Sequence, residues 1–261
     1  MRRLRDALRD AATDSSQASA LRSALVIAPH PDDETLGCGA AIARKTDAGR
    51  PVHVVVCTDG SASHRSKMIP PKDLAQIREV EAGEAVKVLG VPRENLAFLR
   101  FEDGHLQHRR EALLHELADV ITASQPDEIL APCGIDRHPD HRAIASVMDE
   151  LVQRKIVNCP VLDYPVWFWT ARAWGGGGAG FSALSAILRP NRVAQHLNPS
   201  AVSTEGYLER KRRAIACHKS QVTNLTGEPG WGVLEPAFLD HFLQPYELYF
   251  GTRRPAVRAA G

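Results

Sequence analysis

No stretch of this chain approaches the roughly 18 consecutive apolar residues of a membrane span. An excess of one charge is also missing. Lys and Arg number 32 against 31 Asp and Glu, a formal net charge of +1. No bulk field therefore favours nucleic acid or an anionic membrane surface. Paired cysteines are absent: Cys38, Cys57, Cys133, Cys159 and Cys217 are scattered without a C-x-x-C. An odd count argues against a full disulfide framework, and reduced thiols in a cytoplasmic protein are the simpler reading. The opening M-R-R-L-R-D-A-L-R-D-A-A has no apolar core and interleaves acids with arginines. Residues 1–20 thus read as a tail or short helix, neither signal peptide nor membrane anchor.

Several catalytic signatures are missing too. There is no G-x-S-x-G nucleophile elbow and no G-x-x-x-x-G-K-[ST] phosphate loop. Gly37-Cys38-Gly39 begins a dinucleotide fingerprint, but Ile42 stands where the third glycine belongs. Those glycines read as close helix packing. His115-Glu116-Leu117-Ala118-Asp119 narrowly misses H-E-x-x-H and lies in an amphipathic helix, so it reads as a solvated face.

What is present is an alternation. Strands are expected over residues 21–29, 51–58, 96–101 and 128–132, with a fifth within 160–169. Helices are expected over 35–48, 73–89, 111–124 and 141–155. This order implies parallel βαβ units, a mostly parallel α/β sheet with helices on both faces. Past Trp169 the pattern breaks at Gly175–Gly180, which reads as a mobile loop. One or two extra strands are expected over 186–198 and a helix over 204–218, and the last 40 residues read as irregular. The reading is one domain over 21–261, with a core to about 170 and a C-terminal extension beyond it.

Two clusters carry chemistry. A-P-H-P-D-D-E-T-L-G-C-G-A, residues 28–40, puts His30, Asp32, Asp33 and Glu34 directly behind a buried strand. A helical turn opening near Pro31 would bring His30 and Asp33 onto one face and leave Asp32 beside them. C-G-I-D-R-H-P-D-H-R, residues 133–142, repeats H-P-D behind another strand. An isolated acidic first turn is usually just a helix N-terminus, and a lone histidine usually just a surface residue. Two H-P-D triplets at the ends of parallel strands are harder to read that way, because ligands bind there in open parallel sheets. His30, Asp33 and one histidine of the second cluster make a His₂Asp set, the pattern of a catalytic zinc site with an open position. Fe2+ can occupy such a site as zinc does.

These stretches resemble the two signature motifs of the PIG-L / LmbE-like N-acetylglucosaminyl deacetylase family. The resemblance runs from about residue 23 to 167 and includes C-T-D-G (57–60), the helix 77–90 and E-D-G-H-L (102–106). K-R-R-A-I-A-C-H-K-S-Q, residues 211–221, resembles the family's late Lys…His-x-Ser-Gln helix. The resemblance implies a Rossmann-like fold and zinc-dependent removal of an acyl group from an amino sugar or related amine. It implies His30, Asp33 and His141 as zinc ligands and Asp32 as general base. It implies His138 as electrophile or general acid, protonated for that task and oriented by Asp140, and Arg78 and Asp103 as sugar-holding residues. Arg78 could equally pair with Glu79 or Glu81 on its own helix. The expected partner is a small N-acylated amino sugar or glycoconjugate, with no nucleic acid and no membrane insertion; a homo-oligomer is compatible with the sequence. The rivals are a metal-dependent hydrolase of another bond, such as a phosphoester, and a binding protein that kept the fold and lost the chemistry. No ligand or base is missing, which counts against the second. Tyr164, Trp167, Trp169 and Trp174 stand close together, either as core packing or as an aromatic wall for a sugar.

Overall fold

The computed structural model describes residues 2–170 and 190–253. One sheet contains β1 (Thr13–Asp14), β2 (Ala24–Ala28), β3 (Val52–Thr58), β4 (Leu96–Phe101), β5 (Glu128–Pro132), β6 (Val161–Tyr164), β7 (Pro199–Ser203) and β8 (Tyr246–Arg253). Its order is β1-β7-β8-β6-β5-β2-β3-β4. Neighbours are parallel except around β8, which runs antiparallel to both β6 and β7. The principal helices are α1 (Arg2–Ala11), α2 (Ser16–Ala20), α3 (Asp33–Asp47), α4 (Pro71–Val88), α5 (Arg110–Ser124), α6 (Pro139–Gln153), α7 (Pro190–Leu197), α8 (Leu208–Ile215), α9 (Lys219–Val222) and α10 (Pro236–Leu239). Among the described residues no helix is long and apolar enough to cross a membrane.

The central strands are apolar at nearly every position because both faces are covered. Leu25 and Ile27 of β2 join Val55, Leu113, Leu117, Ile144 and Met148 in a core under α5 and α6. Val26 and Ala28, one residue out of phase, face Leu36, Ile42, Val86 and Leu89 under α3 and α4. The period of two along a strand thus splits the apolar residues into two layers.

Two expectations fail. Residues 190–197, read as strand, form α7, because Val193, Ala194 and Leu197 recur at helical spacing and are buried together. The strand comes after it, as β7; residues 186–189 lie outside the described residues, as do Trp174 and Gly175–Gly180. The last 40 residues, read as irregular, contain β8, which lies inside the sheet. At the other end, α1 buries Leu4, Ala7 and Leu8 and packs on α7.

The fold brings the two motifs together through one pairing. β2 lies beside β5 in parallel register, Val26 opposite Leu130. Both chains therefore leave the sheet at the same edge. From β2 one neighbouring connection runs to β3 and the other to β5, so the crevice sits where the strand order changes direction.

Candidate metal and catalytic site

Behind β2 the chain makes one tight turn. The His30 carbonyl accepts from the Asp32 and Asp33 N–H groups at 3.0 and 3.3 Å, and α3 starts at Asp33. Asp33 Oδ2 accepts from the His30 backbone N–H at 3.0 Å and lies 3.0 Å from His30 Nδ1. Behind β5, His138 caps α6, and its Nδ1 accepts from the Asp140 N–H at 3.3 Å. His141, on the first turn of α6, points back so that its Nε2 lies 3.2 Å from the same Asp33 Oδ2.

Hydrogen bonds on the far side of each ring set the tautomers. His141 Nδ1 donates to Asp136 Oδ2 at 2.9 Å, leaving Nε2 buried and without a hydrogen-bond partner. His30 Nε2 donates to Asp140 Oδ2 at 3.2 Å and lies 3.2 Å from Asp103 Oδ1, leaving Nδ1 beside Asp33. Metal-binding histidines have this arrangement, with the outer N–H given to a carboxylate and the inner lone pair turned to the ion. Donors on a tetrahedral ion with bonds of about 2.0–2.2 Å stand about 3.3–3.6 Å apart. The 3.0 and 3.2 Å spacings around Asp33 Oδ2 are close to that. The residues therefore fit a zinc-like ion held by His30, Asp33 and His141.

Among the described residues two ligand sets have all their atoms within 4.8 Å of one another, His30, His138 and His141, and His30, Asp103, His138 and Asp140; neither contains Asp33. Both need His138. Its Nδ1 is occupied by the cap, so in the neutral ring Nε2 carries the proton and is a donor. That favours the set built on Asp33.

The structure departs from the implied role of Asp140. Its carboxylate does not serve His138; it accepts from His30 Nε2 and from the N–H groups of Gly104 and Leu106, at 2.7 and 3.0 Å. The reason is its place in the first turn of α6, where the side chain turns inward toward the 104–106 turn and only the backbone N–H reaches His138. Asp136, which the sequence reading passed over, orients His141. It is fully buried and also accepts from the N–H groups of Val166, Trp167 and Phe168. A buried Asp two residues before the second H-P-D was its one signal.

Arg78 pairs with neither neighbour on its helix. Glu79 takes Arg100, and Glu81 takes Ser220. Arg78 instead donates to the carbonyls of Gly60 and Pro31, at 2.9 and 2.8 Å, and lies 3.3 Å from Asp32 Oδ2. Asp103 Oδ2 accepts from the Ala62 N–H at 3.1 Å. Both line a cavity of about 600 Å³ with His30, Asp32, Asp33 and His138. Its other wall includes Trp167, Gln221 and the 232–234 segment, so the C-terminal extension helps to build it. Of the aromatic group, Tyr164 and Trp169 are core residues, bound to the Ile27 carbonyl and stacked on His241. Trp167 lines the cavity, backed by Phe238 at 5.1 Å.

Charge in the site is dominated by five buried carboxylates: Asp32, Asp33, Asp103, Asp136 and Asp140. Burial disfavours charged imidazole, yet Asp33 and Asp136 push His141 up to about 9, and Asp103, Asp140 and Asp33 push His30 well above its ordinary value. Despite burial, Asp33 is held well below the carboxylate range by His141 and His30. Such a surrounding suits a divalent cation. His138 moves the other way, lowered to about 4 by burial and then by His30 and His141. Asp32 is raised to about 6 by burial, against the pull of Arg78 and with help from Asp33.

Residues 25–152 match the family model described as PIG-L, GlcNAc-PI de-N-acetylase. Those residues form a PIG-L family domain. Diacetylchitobiose deacetylase of Thermococcus kodakarensis is 26% identical over 249 residues, covering 88% of this chain and 78% of its own. The 1D-myo-inositol 2-acetamido-2-deoxy-alpha-D-glucopyranoside deacetylase of Rhodococcus opacus is 26% identical over 240 residues, 77% of this chain and 82% of its own. The solved N,N'-diacetylchitobiose deacetylase from Pyrococcus horikoshii shares the fold, with a TM-score of 0.64 and 23% identity over 87% of this chain and 82% of that one. The PIG-L domain here carries both H-P-D clusters inside the matched residues.

Proposed function

We propose that this chain is a metal-dependent N-deacetylase. It hydrolyses the amide of an N-acetylglucosamine-type amino sugar or glycoconjugate, releasing a carboxylate and a free amine. One observation carries the reading: His30, Asp33, Asp32 and His138 line one cavity, and His141 Nε2 lies behind its wall, 3.2 Å from Asp33 Oδ2. The relatives' names, which specify deacetylation of GlcNAc-type compounds, support it.

His30, Asp33 and His141 would hold the ion, with zinc as the expected metal and Fe2+ as an alternative. When bound, it would polarise the amide carbonyl and acidify a water. Asp32, lifted to about 6, accepts the proton of the attacking water and is still ionised at neutral pH. His138 lines the same cavity, where its Nε2–H would steady the developing oxyanion as a donor. The leaving amine takes its proton from Asp32, which returns what it took from water, or from a protonated His138. Arg78 and Asp103, both on the cavity wall, would hold the sugar hydroxyls. Because the 232–234 segment lines the cavity with the core, residues 21–261 act as one catalytic domain. The five unpaired cysteines, three of them buried, support a cytoplasmic setting.

The test is amine release from a panel of N-acetylglucosamine, its disaccharide and inositol conjugates, with N-acetyl amino acids as controls. Sugar conjugates should be cleaved and the controls spared. A metal-replete protein that cleaves the amino acids but no sugar amide would overturn the substrate assignment.

A further inference from the structure

Asp32 has φ 154° and ψ −25°, a conformation that residues other than glycine rarely adopt. Such a torsion persists only where the surroundings over-determine it. Here both flanking peptides are held. The Asp32 carbonyl accepts from the N–H groups of Thr35 and Leu36, at 3.0 and 2.9 Å, in the first turn of α3. The preceding peptide, Pro31 to Asp32, is gripped at opposite ends. Its carbonyl accepts from Arg78 Nη2 at 2.8 Å. Its N–H donates to Glu34 Oε2 at 3.0 Å, and to the His30 carbonyl at 3.0 Å.

Glu34 is fully buried, and nothing in the deacetylation scheme uses it. Its second oxygen, Oε1, accepts from Thr35 Oγ1 at 2.7 Å and lies 3.3 Å from His218 Nε2. His218 is buried as well and comes from the turn between α8 and α9, some 180 residues along the chain. A buried carboxylate without a partner would be costly. His218 supplies that partner, and Glu34 is left to accept from the Asp32 peptide.

We infer that Glu34 is a positioning residue: with Arg78 opposite, it grips the Pro31–Asp32 peptide and holds Asp32 in its strained torsion, with the carboxylate directed into the cavity. His218 of the late K-R-R-A-I-A-C-H-K-S-Q stretch is the brace behind Glu34. Without the grip, residue 32 relaxes to an ordinary φ and the carboxylate leaves its place beside the metal ligands. The catalytic half of this inference rests on Asp32 being the base. The strain half does not.

A stability comparison reads the strain without substrate. Asp32→Gly and Asp32→Ala are compared in the otherwise unchanged chain, then each combined with Glu34→Ala. If Glu34→Ala does not fold, Glu34→Met fills the space without offering an acceptor. Glycine tolerates the torsion and alanine does not, so Asp32→Gly should melt about 2–4 °C above Asp32→Ala. In ordinary backbone the order reverses, because glycine is the more flexible when unfolded. With Glu34 replaced, the advantage of glycine should shrink below about 1 °C. An alanine variant as stable as the glycine one, or an advantage that survives loss of Glu34 undiminished, overturns the inference. Kinetics supply the second readout, with Asp32 intact. Glu34→Gln keeps an acceptor and should hold kcat within about threefold, while Glu34→Ala or Glu34→Met should lose about 10-fold or more in kcat at unchanged KM and metal content. A rise in KM with kcat intact, or loss of metal, also overturns it. Failure of every amide substrate would sink the deacetylase reading and leave the melting comparison to decide the role of Glu34.

Discussion

His141, proposed as a metal ligand, shows how much of such a site lies outside the ligands themselves. Its ring could bind through either nitrogen, and Asp136 selects Nε2 by accepting the Nδ1 N–H at 2.9 Å. His30→Ala, Asp33→Ala and His141→Ala should each lose the ion, read by elemental analysis; full occupancy in all three would refute the set. Asp136→Asn removes the charge and leaves one acceptor oxygen for His141 and the three backbone N–H groups. It should weaken zinc affinity by about 10–100-fold in a chelator competition. Asp32→Asn separates base from ligand. It should keep the ion and lose ~10²-fold or more in kcat. A metal-free Asp32→Asn would mean that Asp32 and Asp33 have exchanged roles.

At the scale of an element, α3 explains the T-L-G-C-G run better than a nucleotide loop does. A Cβ on Gly37 would stand 2.3 Å from the Tyr164 ring, and that ring is fixed by its hydroxyl bond to the Ile27 carbonyl. Gly39 meets the Lys211 side chain at 3.0 Å. The glycines let α3 lie close against its neighbours, as its spacing suggested. Gly37→Ala should destabilise by about 1–3 kcal/mol, the scale of overpacking. Gly83, inside α4, has nothing within 4 Å of the same position. Gly83→Ala should therefore stabilise by about 0.5–1 kcal/mol. Urea denaturation of the pair checks both signs, and two changes of the same sign would contradict the packing account. The residues of α7 suit strand and helix alike for a local reason: a short apolar run looks the same in both until its partner is known, and the partner is α1, at the far end of the chain.

For the whole molecule, a buried ion pair helps to tie the C-terminal third to the first motif, beside the His218–Glu34 contact. Lys211 Nζ lies 2.7 Å from Glu247 Oε1 and donates to the Leu36 carbonyl at 2.7 Å. Glu247, on β8, also accepts from the N–H groups of Ala40 and Ala41 at 2.7 and 2.8 Å. Thus α8 and β8 both grip α3, whose N-terminus carries Asp33. Lys211→Met leaves the Glu247 charge buried and unpaired, which should cost about 3–5 kcal/mol of stability. Urea unfolding reads it, and a loss under 1 kcal/mol would show that the pair is not what joins the extension to the core.

The sequence alone determined what is local. β1, two exposed polar residues, carried no mark, but apolar runs bounded by turn residues marked β2 to β6, because a strand buried on both faces must be apolar along its length. The four helices between them carried their own periodicity. The two H-P-D clusters stood out because so many acids and histidines behind buried strands are costly without a shared purpose. Only tertiary structure decided what depends on distant partners. The pairing of β2 with β5 turned two clusters into one site, and β8 entered the sheet only because β6 and β7 were there to receive it. The direction of the Asp140 carboxylate, the tautomers of His30 and His141, and the grip of Arg78 on Pro31 are set by hydrogen bonds between groups far apart in the chain. Spacing reports which side chains share a face; it carries no record of which buried donor meets which acceptor once the faces close.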